Sequence, residues 1–247
     1  MRDVEVLSLP QLLDSTQASV TTLLAACPAV RIEAAMDEGA CARYVKGVQD
    51  GRGCWVEDFD GEQFTLGRAW YTHLEQGRTA EYFRCAAESD LNVERHAPGL
   101  QSRMIELAAA VVRGRVEPRR GWCGAAVHVF PAGKEVSNAG GVVHFDHEGL
   151  TPAQRSSRSP ALSLVLMLQP PVRGGGLRLW DALWDPKQGT EECGDGKDSL
   201  TLEYAVGDLL VFDSYRLHQI QPFEGDQDRI SASLHLGWAA GRWEAWF

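Results

Sequence analysis

The sequence lacks the features that mark membrane, secreted and nucleic-acid-binding proteins. No apolar run approaches the ~20 residues that span a bilayer. The first five residues include acids where a secretory signal has a basic and then an apolar segment. Basic residues are in deficit, with 24 Lys and Arg against 34 Asp and Glu, which gives a net charge of −10. Because such a charge repels nucleic acids and anionic membranes, we expect the partner to be a small molecule.

Disulfide and zinc-finger patterns are also missing. The six cysteines include no Cys-x-x-Cys pair and show no compact disulfide spacing. Free cysteine behaves as a small hydrophobic residue, so we predict buried, reduced thiols. Together with the missing signal segment, this predicts a reducing, cytoplasmic location. The cysteines are Cys27, Cys41, Cys54, Cys85, Cys123 and Cys193.

The pattern of apolar residues in the 247-residue chain changes near Pro118. Before it, apolar residues recur at helical spacing: helices are predicted from Asp14, over 37–48 and over most of 75–113, with a hairpin at 54–66. After it, short runs rich in Val, Leu and aromatics are separated by Gly and Pro clusters, which is typical of strands. The predicted strands are 124–130, 142–146, 161–169, 177–180, 199–204, 209–212, 217–221 and 229–238.

This order of elements predicts a mainly β protein with N-terminal helices, folded as a double-stranded β-helix of the jelly-roll, cupin-like type. With 44% hydrophobic residues, the chain can build one sizeable core. No internal repeat or linker divides it. We therefore expect one domain over residues 1–247, with 1–117 as mainly helical support and 118–247 as the jelly-roll core.

Two histidines and an aspartate have the spacing of a metal site. In an extended strand His144 and Asp146, two residues apart, would project from the same face. His218 follows another apolar, strand-like run that begins at Leu209. Two histidines and one carboxylate on one side of a metal form the facial triad of non-haem Fe(II) sites, which leaves the other positions open. We predict that these three side chains bind a metal.

A second polar group follows on the last predicted strand. Arg229 lies 11 residues beyond His218, and Ser231 lies on the same strand face. A guanidinium matches a carboxylate bidentately, and the serine could donate to the same group. Ser233 and His235 share this face, and polar residues inside a barrel imply a polar ligand. We expect His235 to lie too deep to reach the metal and to have a buried, hydrogen-bonded role.

The other histidines are expected to have no part in the metal site. His73 and His96 lie in the helical part with no partner nearby, and we interpret them as ordinary core or surface residues. His147 would point to the face opposite Asp146. Two long loops, 148–160 and 185–198, are predicted to be either lids or solvent-exposed segments.

The H-x-D motif, the distal histidine and the Arg-x-Ser motif together resemble the iron- and 2-oxoglutarate-binding signature of the Fe(II)/2-oxoglutarate-dependent dioxygenases. A closer resemblance is to the carrier-independent halogenases and hydroxylases of free natural products. It extends over residues 174–180 (GGGLRLW), 184–186 (WDP), 207–212 (GDLLVF), 71–73 (YTH) and 81–83 (EYF). One difference is important. The halogenases replace the acidic residue of the triad with a small one, whereas Asp146 is present here.

The resemblance implies a 2-oxoglutarate-dependent dioxygenase. Fe(II) would be held by the triad, Arg229 with Ser231 would bind the distal carboxylate of 2-oxoglutarate, and O2 would be the second co-substrate. Decarboxylation to succinate would then drive hydroxylation of an unactivated C–H bond in an amino acid derivative or natural product. Trp70 and Tyr71, in a segment that resembles the free-substrate halogenases, are predicted substrate walls, and core packing is the alternative.

Other functions remain open. Desaturation, cyclisation or epimerisation could occur on the same centre. A cupin-like metal-binding barrel or a hydrolytic zinc site could also use these ligands. Cupin-like barrels, however, usually have an H-x-H pair and have no need of Arg229. The sequence does not define the oligomeric state.

Overall fold

The computed structural model describes residues 3–14, 16, 18–185 and 196–247. Within these residues the helices are α1 Leu9–Leu13, α2 Val20–Leu23, α3 Glu38–Asp50, α4 Trp70–Glu75, α5 Thr79–Arg84, α6 Ala86–His96, α7 Leu100–Val112, α8 Glu135–Ala139 and α9 Pro152–Ser157. The strands are β1 Glu5–Ser8, β2 Ala29–Glu33, β3 Val56–Asp58, β4 Gln63–Leu66, β5 Val116–Pro118, β6 Ala126–Phe130, β7 Ala161–Gln169, β8 Arg173–Gly174, β9 Leu177–Leu183, β10 Ser199–Leu202, β11 Leu209–Asp213, β12 Arg216–Ile220, β13 Phe223–Glu224, β14 Arg229–Ala239 and β15 Arg242–Trp246.

The strands form one large and one small sheet. The large sheet has the order β1-β2-β11-β7-β14-β6-β4-β3, and β15 joins β14 to β5. The small sheet has the order β10-β9-β12, and β13 pairs separately with β8. Side chains from both sheets, including Met167, Phe212 and Leu179, form one buried cluster. Two sheets that close over a shared interior make the predicted jelly roll, and the fold prediction is confirmed.

The long strands β7 and β14 separate a helix-covered core from the interior of the barrel. Side chains alternate between the two faces of a strand. Along β7, Leu162, Leu164 and Leu166 belong to the main core, which also contains residues of α3 and α7. Ser163 and Met167 lie on the other face. Because both faces of β7 are covered, the strand is apolar almost throughout. Its one serine, Ser163, therefore indicates a polar contact on the barrel side.

The N-terminal half contributes more strands than the sequence predicts. The hairpin is confirmed as β3 and β4, and the helices over 37–48 and 75–113 are confirmed as α3 and α4 to α7. The helix predicted from Asp14 is wrong, because α1 ends at Leu13 and α2 begins at Val20 under a Ser19 cap. The strands β1 and β2 were not predicted, since a run as short as β2 cannot be distinguished from a helix by its period.

Two predictions near the metal-site residues are wrong. Residues 142–146 do not form a strand, and only His144 pairs, in an isolated bridge with His218. The segment 148–160 is not an open loop, because it contains α9. A capping box starts this helix, in which the Thr151 hydroxyl accepts the Gln154 N–H at 3.2 Å. Most of the loop 185–198, with Cys193, lies outside the described residues.

The five described cysteines are free thiols; burial is as predicted for Cys41 and Cys123, whereas Cys27, Cys54 and Cys85 are only partly buried. Among the described residues, none of the helices has the length and apolar character needed to cross a bilayer.

Tyr82 ties the helical layer to the C-terminus, and its removal tests this packing. Its buried hydroxyl donates to the Phe247 carbonyl at 2.6 Å and accepts the Cys123 N–H at 3.1 Å. Tyr82→Phe leaves the buried Cys123 N–H without this partner and the Phe247 carbonyl with only the Trp70 N–H, at 3.2 Å. We therefore expect the free energy of unfolding to fall by about 1–3 kcal/mol in urea denaturation. Tyr44→Phe is the control, because no hydrogen bond from its hydroxyl is found in the described part of the chain. Equal losses in the two variants would contradict the role of Tyr82.

Candidate active site

The three predicted metal ligands converge. The ligand atoms of His144, Asp146 and His218 all lie within 4.8 Å of one another. His144 Nε2 lies 3.4 Å from Asp146 Oδ1, and His218 Nε2 lies 3.5 Å from Asp146 Oδ2. The isolated bridge holds the two histidines side by side, with both backbone N–H···O distances at 3.0 Å. The group fits a divalent metal, and the donor set of two imidazoles and one carboxylate suits iron.

Both histidines are oriented in the same way. His144 Nδ1 lies 2.7 Å from the Val142 carbonyl, and His218 Nδ1 lies 2.9 Å from the Arg216 carbonyl. In each case the partner is two residues earlier in the chain. An Nδ1–H that donates to a carbonyl fixes the tautomer and leaves the Nε2 lone pair free for a metal. The bridge and the two carbonyls therefore direct both Nε2 atoms towards Asp146.

A hydroxyl network holds the carboxylate. Ser163 Oγ donates to Asp146 Oδ2 at 2.6 Å, and Ser214 Oγ lies 2.9 Å from Ser163 Oγ. The Asp146 backbone N–H also donates to the Ser214 carbonyl at 2.9 Å. His235 Nδ1 lies 3.3 Å from Ser163 Oγ and 3.9 Å from Asp146 Oδ2. The predicted hydrogen bond of His235 is present, but the predictions that it is buried and lies too deep are wrong, because it is partly exposed and lies beside the Asp146 carboxylate.

The charges in this cluster are strongly coupled. Burial opposes ionisation of Asp146, but His218, His235 and His144 hold its pKa well below the usual range. Burial lowers the pKa of His144 less than Asp146 raises it, so that this pKa is about 9. Burial lowers the pKa of His218 to about 4. A bound metal would take the place of the proton on His144, because a coordinating imidazole must give it up.

Arg229 forms a second polar centre. It is 1% exposed, and its guanidinium donates to the Gly175 carbonyl at 3.0 Å, to Ser231 Oγ at 3.1 Å and to the Tyr204 hydroxyl. Among the described acidic residues, none forms an ion pair with it. A buried guanidinium without a counter-charge is costly unless an anion binds there. Arg229 and Ser231 lie together, as their shared strand face predicts, and the surroundings of Arg229 fit a carboxylate ligand.

One cavity joins the two centres. It has a volume of about 390 Å³, and Arg229, Ser231 and the three metal-site residues all line it. Its other walls are mainly aromatic and aliphatic. Tyr71 also lines this cavity, whereas Trp70 does not and packs against Tyr82, Phe83 and Trp122. Trp70 and Tyr71 both line a much smaller cleft of about 20 Å³ beside Asp146.

Several residues of the site were not predicted from the sequence. Ser163, Ser214 and Tyr204 come from segments far from their partners in the chain, so no spacing rule finds them. Ser163 has a weak signal, because it is a lone polar residue in an apolar strand. His128 on β6 was also overlooked. It lines the large cavity, and burial lowers its pKa to about 3.

The remaining histidines have structural surroundings. The prediction that His73 has no partner is wrong, since its Nδ1 lies 2.8 Å from the Ala69 carbonyl and its Nε2 lies 3.0 Å from Arg68. His96 Nε2 lies 3.7 Å from Cys54 Sγ. The ring of His147 packs on Trp184 rather than joining the metal-site residues.

Solved structures share this fold. The 2-oxoglutarate-dependent epimerase SnoN from nogalamycin biosynthesis is 16% identical, with a TM-score of 0.53 over 90% of this chain and 83% of that chain. AviO1 from Streptomyces viridochromogenes Tue57 is 15% identical, with a TM-score of 0.52 over 83% and 87%. An N-substituted L-amino acid dioxygenase from Burkholderia ambifaria AMMD is 15% identical, with a TM-score of 0.52 over 86% and 83%. No curated protein sequence matches the chain.

The family model of the carrier-protein-independent halogenase WelO5 matches residues 147–243. This match covers less than half of the chain; together with the shared fold it supports the predicted resemblance to the Fe(II)/2-oxoglutarate-dependent oxygenases. The match contains His218, Arg229 and Ser231 but begins directly after Asp146. It therefore does not include the position at which halogenases and hydroxylases of this kind differ.

The metal assignment predicts the behaviour of two histidine variants. His218→Ala removes one of three converging ligands, so we expect its affinity for Mn(II) in calorimetric titration to fall by at least about tenfold. His147→Ala, next to Asp146 but outside the cluster, should bind Mn(II) like the wild type. Wild-type affinity in His218→Ala would contradict the assignment.

Proposed function

We propose that this chain uses Fe(II), 2-oxoglutarate and O2 to hydroxylate an unactivated C–H bond of a small molecule, an amino acid derivative or natural product. The observation that carries the proposal is Arg229, a buried guanidinium without a carboxylate partner in the described chain. It lines the same cavity as the three converging ligands. A ligand with an acid at one end and a metal-binding group at the other is suited to both centres. 2-Oxoglutarate is such a molecule.

Each part of the proposed site has a defined task. His144, Asp146 and His218 hold Fe(II), which together with 2-oxoglutarate and O2 supplies the oxidising chemistry. Arg229 and Ser231 bind the distal carboxylate of 2-oxoglutarate. Gly175 and Tyr204 fix the guanidinium so that its remaining N–H groups face the cavity. The apolar walls exclude water, which strengthens these electrostatic contacts and protects the reaction.

We propose that the catalytic unit is a single domain over residues 1–247, because its cavity draws on both halves of the chain. Phe59 and Tyr71 of the first half line the cavity together with residues of β11 and β12. Tyr71 is the better candidate for substrate contact. Trp70 lies mainly in an aromatic cluster, which favours the packing alternative for that residue.

The alternative functions explain fewer of the residues in the site. A zinc hydrolase could use two histidines and an aspartate with an open fourth position. Neither a zinc hydrolase nor a barrel that only binds a metal explains why the cavity contains a buried guanidinium, Arg229, without a counter-charge in the described chain. Among oxidative outcomes, hydroxylation is favoured by Asp146. The acid fills a protein-ligand position which, in the halogenases that the chain resembles, is left open for chloride.

Anaerobic spectroscopy tests the proposal directly. The protein with Fe(II) and 2-oxoglutarate should develop a weak visible charge-transfer band, which forms only if the 2-oxo acid chelates iron. Arg229→Ala should need far more 2-oxoglutarate for the same band, because loss of a buried charge-assisted pair costs on the order of 2–5 kcal/mol. Arg178→Ala, which removes a guanidinium outside the cavity lining, is the control. The absence of a band in wild type, with zinc tightly retained, would favour the hydrolase.

The role of Asp146 predicts insensitivity to chloride. With a carboxylate as the third protein ligand, chloride has no place on the metal. We therefore expect the wild-type band to be the same in sodium chloride and in sodium sulfate of equal ionic strength, and we expect no chlorinated product. Asp146→Gly opens the position, although loss of a charged ligand weakens iron binding. A chloride-dependent band in the wild type, or a chlorine isotope pattern in its products, would overturn this role.

A further inference from the structure

The wall of the large cavity carries acidic side chains that neither of the two centres uses. Glu62, Glu75 and Glu135 all line it. Glu62 has partners, because it accepts the Glu135 backbone N–H at 2.7 Å and lies 3.8 Å from Lys134 Nζ. Glu75 forms no hydrogen bond and no ion pair with any residue that the structure describes. Its carboxylate is therefore available to a ligand.

Glu75 shares its helix face with an aromatic ring. Residues four apart on a helix lie one above the other, so Tyr71 and Glu75 form a pair on α4, and both line the cavity. The Tyr71 hydroxyl accepts a hydrogen bond from Gln63 Nε2 at 2.7 Å, which fixes the ring. Burial raises the pKa of Tyr71, so the ring stays neutral. A carboxylate beside a fixed aromatic ring is an arrangement that binds ammonium groups.

A second observation indicates that the organic ligand is partly polar. His128 is 7% exposed, lines the same cavity, and has no hydrogen-bond partner for Nδ1 in the described chain. A buried N–H without a partner is rarer in proteins than a buried acceptor without one. The imidazole is therefore expected to carry its proton on Nε2, which leaves one neutral donor at the cavity.

The charge balance of the loaded site favours a cation at Glu75. Fe(II) and doubly ionised 2-oxoglutarate cancel each other, and so do Arg229 and Asp146. His128 is neutral, since burial lowers its pKa to about 3. The carboxylates of Glu75 and Glu135 then have no ion pair with any described residue. Burial and the neighbouring Glu148 raise the pKa of Glu75, and a cation bound beside it would offset both effects.

We propose that the organic substrate is an apolar molecule with a protonated amine, which pairs with Glu75 and packs against the ring of Tyr71. The aliphatic walls of the cavity, such as Val165 and Ile220, hold the apolar part. This inference rests on the proposed function, because it assumes that the inner end of the cavity is filled by 2-oxoglutarate.

The test uses three indoles with the same apolar body and different charge. Protein loaded with Ni(II) and 2-oxoglutarate, which does not turn over, is titrated by calorimetry with tryptamine, 3-ethylindole and indole-3-propionate. We expect tryptamine to bind most tightly and indole-3-propionate most weakly. Glu75→Gln should weaken tryptamine binding about fivefold, the upper range for a solvent-exposed ion pair, and should leave 3-ethylindole unchanged.

Glu88→Gln is the matched control, because it removes the same charge from an exposed site outside the cavity lining. Equal binding of tryptamine and 3-ethylindole to wild type would overturn the inference. So would the absence of tryptamine binding, or an equal loss in Glu75→Gln and Glu88→Gln. If 2-oxoglutarate itself does not bind the Ni(II) protein, the proposed function fails. If it binds and the amine is not preferred, only the inference about the substrate fails.

Discussion

The backbone bridge between His144 and His218 is the contact on which the rest of the site depends. Its two hydrogen bonds, both 3.0 Å long, join a segment without regular structure to β12 at the edge of the small sheet. Without the bridge, no strand pairing would fix residues 142–146 against the barrel. A bridged antiparallel pair holds the two side chains on the same face of the sheet. The carbonyls two residues before each histidine then set both tautomers.

A buried carboxylate and a buried guanidinium are costly, and each is stabilised in a different way. Asp146 has a hydroxyl neighbour and imidazole neighbours that stabilise its ionised form, and His144 beside it has its pKa raised to about 9. Arg229 has three oxygen acceptors but no anion among the described residues. Hydrogen bonds to neutral acceptors lower the cost of burying a charge only in part. The remaining cost is the physical basis for the proposal that Arg229 binds an anion in this cavity.

The convergence of the three ligand residues could be predicted, but not for the reason given by the strand period. His144 and Asp146 meet without lying in a strand, because the bridge and the contact from Asp146 N–H to the Ser214 carbonyl hold them. The long strands were predicted well, β14 from its alternation and β7 from its continuous apolar run. The short strands β1 and β2 were not, since β2 depends on pairing with β11 across the chain and β1 depends on pairing with β2. Tyr204 was missed for a similar reason. Its hydroxyl acquires a role only when the barrel closes over Arg229.

The same strands build the core and the site, so stability and chemistry are coupled in this fold. On β14, Ile230, Ala232 and Leu234 belong to the main core, whereas Arg229 and Ser231 face the cavity. Burial of apolar area on one face stabilises the fold by about 25 cal/mol per Å² and offsets the cost of ordered charges on the other face. Since protein interiors are closely packed, a void on the core side of such a strand shifts the polar side as well. The core therefore fixes the distance between Arg229 and the cluster of His144, Asp146 and His218, and under the proposed function this distance would select which dicarboxylic acids reach both centres.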